Sequence, residues 1–359
     1  MQKLETNMNG LTNEAISLLQ KMIATQSFSK EEEIVVSLIN NFLKSYSVDT
    51  HLFKNNVWAA NKYYDKKLPT ILLNSHHDTV KPNTGYTRNP FSPDIENGTL
   101  YGLGSNDAGG PLVSLIATFL HYHEKENLKY NLVIAATAEE EISGENGVAC
   151  ILDKIPKFDL AIVGEPTEMH LAIAEKGLMV LDCTAQGESG HAAREEGKNA
   201  IYIALEDIDW VKNYQFSRVS EQLGPVKMSA TVINAGSQHN VIPDICNFTL
   251  DVRTTDAYSN EDVMHIIKDN LQSKVVARSF RLNPSSIAKD HPLIKSGIKL
   301  GRKTYGSPTT SDQALLPVPS LKMGPGDSAR SHTADEYIHI KEIEEGIALY
   351  IKLLEGVLL

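Results

Sequence analysis

Short apolar runs punctuated by polar clusters extend along the whole chain, and their period changes twice. Leu11 to Ala24 carries Ala15, Leu18, Leu19 and Met22 at helical spacing. A second helix is expected from Ser29, where S-K-E-E reads as a capping box with Glu32 and leads into Ile34, Leu38, Ile39 and Phe42. Strands follow over 48–53 and 57–61, then a buried one over 70–74 that runs into His76, His77 and Asp78. The stretch 81–98 is rich in Pro, Asn and Gly and reads as a loop; 112–120 is a long apolar stretch. Strands at 131–137 and 159–163 each stop at an acidic residue or cluster. Beyond Lys176 the period becomes that of half-buried strands at 178–186, 226–234, 248–253 and 275–282, with helices at 199–214 and 261–271 between them. After Pro284 helical spacing resumes and ends in an amphipathic helix carrying Ile343, Ile347, Tyr350, Ile351 and Leu354.

This order predicts a larger α/β domain. A smaller α+β domain of β-α-β-β-α-β, ferredoxin-like order is inserted in it. The expected bounds are 1–175 and 284–359 for the two parts of the larger domain and 176–283 for the insertion. A length of 359 residues suits two cores better than one.

Composition narrows the function classes. The chain has 34 Lys and Arg against 45 Asp and Glu, a formal charge of −11, which argues against nucleic acid or an anionic membrane as partner. Three scattered cysteines without CxxC spacing point to a reducing compartment and buried inert thiols. With no charged-then-apolar leader pattern and no membrane-length apolar run, the expectation is a cytoplasmic protein.

Candidate chemistry sits where strands end. His76, Asp78, Asp107, Glu140, Glu141, Glu165 and His332 are imidazoles and carboxylates without thiolate, a set that suits an open catalytic metal site better than a closed structural one. Singly, each has a plainer explanation: a polar turn, a helix cap at Asp107, or a solvated acidic loop at 139–141. Together they amount to about the ligand set of two metals sharing one carboxylate, which activates water for hydrolysis.

The motifs S-H-H-D-T-V (75–80), G-S-N-D-A-G-G (104–110), T-A-E-E-E (137–141), V-G-E-P-T (163–167) and S-H-x-x-x-E-Y (331–337) resemble, in order and spacing, those of a dinuclear zinc amidohydrolase and peptidase family. That family includes acetylornithine deacetylase, succinyl-diaminopimelate desuccinylase, carboxypeptidases of the glutamate type and aminoacylase-like peptidases. The resemblance implies a mixed-sheet α/β/α catalytic domain in which Asp107 bridges two Zn²⁺ ions, with Co²⁺ or Mn²⁺ as possible substitutes. His76 and Glu165 would complete one site, and Glu141 with His332 the other. Glu140 would be the general base and Asp78 the partner that orients His76. Here Ser75 stands where the family usually has Gly, and Glu139 where Asp is frequent; His77 is an additional imidazole, which strand alternation points away from His76. A register slip by one would make Glu139 and Glu140 the base and ligand instead.

Within the insertion, G-E-S-G-H-A-A (187–193) resembles the family's lid motif. It implies that His191 stabilises the oxyanion, often across a dimer interface, so a homodimer through the inserted lid domain is expected. Asn240 and Arg253 match lid positions that hold the substrate carboxylate, although an ion pair of Arg253 with Asp251 or Asp256 is the competing explanation. Gly324, together with 309–312, matches loops lining the substrate pocket.

The implied activity is hydrolysis of a small N-acyl amino acid, foremost N-acetylornithine or N-acetylcitrulline, as in arginine synthesis. The competitors are an acetyl-lysine deacylase, a desuccinylase, a dipeptidase, a mononuclear aminopeptidase and, from another class, a non-catalytic metal-binding relative.

Overall fold

His76 ends the central strand of a mixed sheet, and the strands on either side of it stop at the same edge. A computed structural model describes residues 2–194 and 196–359. The chain divides into one unit of Met1–Ile173, Ser286–Tyr305 and Ser311–Leu359, and a second of Ala174–Ser285 with Gly306–Thr310.

In the first unit the sheet runs in the order Thr50–Phe53, Asn56–Ala60, Asn131–Thr137, Thr70–His76, Leu160–Val163, Ser320–Lys322 and Leu171–Glu175. Thr70–His76 is parallel to both Asn131–Thr137 and Leu160–Val163, Ser320–Lys322 continues parallel beside Leu160–Val163, and the pairings beyond these are antiparallel. Its seven residues are buried throughout, which is why this strand reads as a continuous apolar run. Alternation sends Ile71 and Leu73 into one core, with helices α1 (Gln2–Ile23), α2 (Glu33–Ser45), α3 (Gly110–His123), α6 (Pro292–Lys299) and α7 (Ile340–Leu358). Leu72, Val133, Ala161 and Val163 face the opposite core, covered by short helical turns such as Val148–Ile151. The α/β class is thus as expected, with the second layer built from turns. Truncating a fully buried Leu such as Leu72 to Ala costs about 2–5 kcal/mol.

One local expectation is overturned. Helix α2 begins after Glu32 with no side-chain cap. The hydroxyl of Ser29, expected to cap it, donates instead to Asp78 Oδ2 at 2.7 Å. A buried carboxylate has more to lose unpaired than the free N–H groups of a helix N-terminus, which water can satisfy, so the hydroxyl serves as a donor to Asp78 rather than as an acceptor at the helix end.

The second unit has the order strand Gly177–Gln186, helix α4 (Ala200–Asn213), strands Lys227–Ala235 and Ile245–Thr254, helix α5 (Asn260–Asn270), strand Lys274–Ala277. Its four-stranded antiparallel sheet runs Lys227–Ala235, Ile245–Thr254, Gly177–Gln186, Lys274–Ala277, the arrangement of a split β-α-β fold. Met179, Leu181, Cys183 and Ala185 point inward on alternate positions. Asn199 caps α4 by accepting from Ile201 N, and Ser259 with Asp262 forms a capping box on α5. All three cysteines are free thiols, and burial raises each of their pKa values, Cys183 to about 12. Among the described residues no helix is long and apolar enough to cross a membrane.

Candidate active site

Because three neighbouring parallel strands end together, Glu140 and Glu141, then His76, then Glu165 lie side by side beyond the carboxyl ends of the sheet, where open α/β sheets place ligands. Asp107 arrives from another direction, in the tight turn Ser105–Gly109 ahead of α3. His332 comes from a loop beyond the Ser320–Lys322 strand, with a left-handed backbone (φ 59°) that is uncommon for a non-glycine residue.

Asp107 is the centre of the arrangement. Its Oδ1 lies 3.2 Å from His76 Nε2, and its Oδ2 lies 3.7 Å from His332 Nε2. Glu165 Oε1 is 3.8 Å from His76 Nε2, and Glu141 Oε2 is 2.9 Å from His332 Nε2. Two sets of donors therefore share Asp107: His76, Asp107 and Glu165 in one, Asp107, Glu141 and His332 in the other. Within each set the ligand atoms all lie within 4.8 Å of one another.

The orientation of His76 follows from its second contact. Nδ1 is 3.0 Å from the Asp78 carbonyl oxygen, which can only accept, so Nδ1 carries a proton and Nε2 is the ring nitrogen turned toward the carboxylates. Asp78 was expected to orient the ring; its carbonyl makes the shorter contact, and its carboxylate the longer one at 3.4 Å. That carboxylate is engaged elsewhere: Oδ1 accepts from Glu140 N at 3.0 Å, and Oδ2 from Glu141 N at 3.3 Å and from Ser29.

Electrostatics describe a carboxylate-rich site under strain from its own charge. Burial, then repulsion from Asp107, pushes Glu165 up to about 8. Burial also drives Glu140 well above the usual carboxyl range, with Glu165 and Asp312 adding to it against the opposing pull of His76. Although burial disfavours a protonated His76, its hydrogen bonds to Asp107 and Asp78 hold it well above 6.5. The bond to Glu141 carries His332 up to about 9. The residues fit a pair of cations. Glu165 Oε1 is buried without a hydrogen-bond partner, and mixed nitrogen and oxygen donors of this kind suit zinc or its neighbours.

The remaining candidates divide between the units. Glu139 has a left-handed backbone (φ 53°), and its carboxylate is spent on Asn146, accepting from Nδ2 at 2.7 Å and N at 3.2 Å. That leaves Glu140 and Glu141 as the acids toward the site. His77 is buried and donates from Nε2 to the Asn55 carbonyl at 2.9 Å. Gly324 packs on the chain at Glu165, where an added Cβ would lie 2.5 Å from the Glu165 carbonyl oxygen. In the second unit His191 is exposed and pairs with Val241 in a short ladder, with Asn240 adjacent, its carbonyl accepting from Ala192 N. Arg253 forms a two-pronged pair with Asp251 at 2.8 and 3.0 Å and reaches Thr310 Oγ1 at 3.3 Å.

Two buried acids contribute beyond the expected set. Asp312 accepts from Asn74 Nδ2 and Thr137 Oγ1, each at 2.9 Å, tying together the two strands that carry His76 and Glu140. Burial raises it to about 6. Glu336, four residues after His332, accepts from the backbone of the Asp107 turn. Its presence in the S-H-x-x-x-E-Y motif was visible in the sequence, but its partner was not.

The description "Peptidase family M20/M25/M40" matches residues 72–356. The chain belongs to this family. It is similar to an acetylornithine deacetylase of Proteus mirabilis, 27% identical, covering 95% of this chain and 96% of the relative. It is also similar to a succinyl-diaminopimelate desuccinylase of Cereibacter sphaeroides, 24% identical, covering 95% of this chain and 98% of the relative. The fold matches the Bacillus subtilis YXEP protein, described as a dinuclear metal-binding peptidase of the M20 family. The TM-score is 0.69 at 14% identity, covering 97% of this chain and 99% of that one. The M20-family chain is accordingly a metal-dependent amide hydrolase.

Proposed function

We propose that the protein removes the acyl group from the α-nitrogen of an N-acyl amino acid, with N-acetylornithine or N-acetylcitrulline as the foremost substrates. The observation that carries the reading is Asp107, whose two oxygens face two separate donor sets. His76 and Glu165 would hold one ion and Glu141 and His332 the other, with Zn²⁺ the first choice and Co²⁺ or Mn²⁺ able to replace it. Bound there, the pair would supply Lewis acidity that polarises the scissile carbonyl and acidifies the attacking water. Glu140, a carboxyl with a raised pKa at the end of its strand, takes the proton from that water and returns it to the leaving amine. Asp78 holds Glu140 by its backbone while fixing the His76 ring. His191 stabilises the oxyanion, and Asn240 and Arg253 hold the substrate carboxylate, Arg253 after exchanging Asp251 for it.

A homodimer through the second unit belongs to the same proposal. Lys227–Ala235 is an edge strand with Val232 and Ile233 each 50% exposed, a surface that soluble chains usually cover. Similarity to both a deacetylase and a desuccinylase supports the amide chemistry and leaves the acyl group to experiment. That experiment is a hydrolysis panel of acetyl and succinyl derivatives of ornithine, citrulline, lysine and diaminopimelate, with a dipeptide control and a chelator arm. Chelator-sensitive preference for acetylornithine or acetylcitrulline supports the substrate; preference for a succinyl derivative or the dipeptide refutes it. Mixing inactive Glu140 and His191 variants should restore activity if His191 acts across the dimer. No recovery after demonstrated subunit exchange refutes that role.

A further inference from the structure

Glu336 is 2% exposed, yet it is an acid with no basic partner among its hydrogen bonds. Its carboxylate is satisfied by backbone. Oε1 accepts from Asn106 N at 2.8 Å and Asp107 N at 2.9 Å, and Oε2 accepts from Gly104 N at 3.0 Å. Convergent backbone N–H groups of this kind form an anion-binding nest, here filled by the protein's own side chain. The turn is shaped for it: Gly104 is left-handed (φ 74°), and a Cβ there would lie 2.5 Å from Thr79 Cγ2. Three hydrogen bonds from one short turn to a single buried side chain hold the Asp107 backbone more tightly than a solvated loop would.

The same segment reaches the other side of the site. His332 lies four residues before Glu336. Just after it, Tyr337, Ile338 and His339 pair with Tyr101, Leu100 and Thr99 in an antiparallel ladder. The Glu336 carbonyl also accepts from Gly102 N at 2.9 Å. The ladder anchors the segment without the carboxylate, which leaves the carboxylate's work confined to the turn.

We propose that Glu336 is the positioning residue for Asp107, holding its two oxygens toward both donor sets so that two metal ions load as a pair. This rests on the reading of Asp107 as a shared ligand. A turn released from Glu336 would swing Oδ1 away from His76 and Oδ2 away from His332 together. A residue supporting only one set would weaken one ion alone.

The test uses the full chain stripped with a chelator and titrated with Co²⁺, followed by visible absorption, and with Zn²⁺, followed by calorimetry. Glu336→Gln keeps the size but sets an N–H₂ group against at least one backbone N–H. The expected result is two ions in the native protein and, in the variant, roughly 10- to 100-fold weaker binding of both with an altered Co²⁺ band. Denaturation of the stripped variant should stay close to that of the stripped native chain. Native affinities and an unchanged band in the variant overturn the inference and leave the two-ion reading intact, as does a loss confined to one ion. A native chain that binds one ion or none overturns the two-ion reading itself and this inference with it. If the Gln variant does not fold, Glu336→Asp serves, since it keeps the charge but falls one methylene short. Native affinity for both ions in that variant overturns the inference.

Discussion

Asp78 Oδ1 accepts the backbone N–H of Glu140 at 3.0 Å, so one buried carboxylate sets the position of the residue proposed as base. The Asp78 carbonyl meanwhile receives the Nδ1 proton of His76. Asp78→Asn places an amide N–H₂ where oxygens now accept from Glu140, Glu141 and Ser29. The expected result is a roughly 10- to 100-fold fall in activity or metal affinity with the fold retained. Steady-state kinetics with circular dichroism checks it, and native turnover would remove Asp78 from the site.

Glu140→Gln is isosteric and leaves His76, Asp107, Glu141, Glu165 and His332 in place. Metal content measured by mass spectrometry should stay at the native level while kcat falls about 10²- to 10⁴-fold. A variant with native kcat would refute the assignment of the base.

Asp107→Ala removes the carboxylate common to both donor sets. Both ions should be lost together in a metal-content assay. Retention of one full equivalent would contradict a shared ligand and favour a mononuclear enzyme.

His121 offers a pH test away from the site. Burial, then the charge of Lys125, lowers it from 6.5 to about 4, and Lys125 Nζ donates to its Nε2 at 2.8 Å. Between pH 4 and 6.5 the unfolded chain therefore binds more protons at this position than the folded one. Its contribution to stability is fully present above 6.5 and falls as pH drops through that window. His121→Gln should flatten the dependence, measured as urea midpoints at pH 4.5 and 7. An unchanged slope would remove His121 as a contributor.

The elements and the donor types were legible in the chain because both are local. Strand Asn131–Thr137 has the bounds read from its apolar run, and the β-α-β-β-α-β order followed from periodicity alone. Glu140, Glu141, Glu165 and His76 announced themselves by following apolar strands. The sequence could not say that these strands are neighbours, because the pairing of the strands that lead to residues 76, 140 and 165 is set by burial across the sheet rather than by spacing. Nor could it place the supporting partners. Ser29 matched a helix cap, a role in which its hydroxyl would accept, and only the burial of Asp78 turned that hydroxyl into a donor to a carboxylate. Glu336 lay inside the S-H-x-x-x-E-Y motif and Asp312 inside the 309–312 loop, but only the packed structure sets backbone N–H groups against one and Asn74 and Thr137 against the other. Residue types and local period were determined by the sequence. Which buried carboxylate found which donor was decided by the tertiary structure, because a desolvated charge must be satisfied by whatever the fold brings within 3 Å of it.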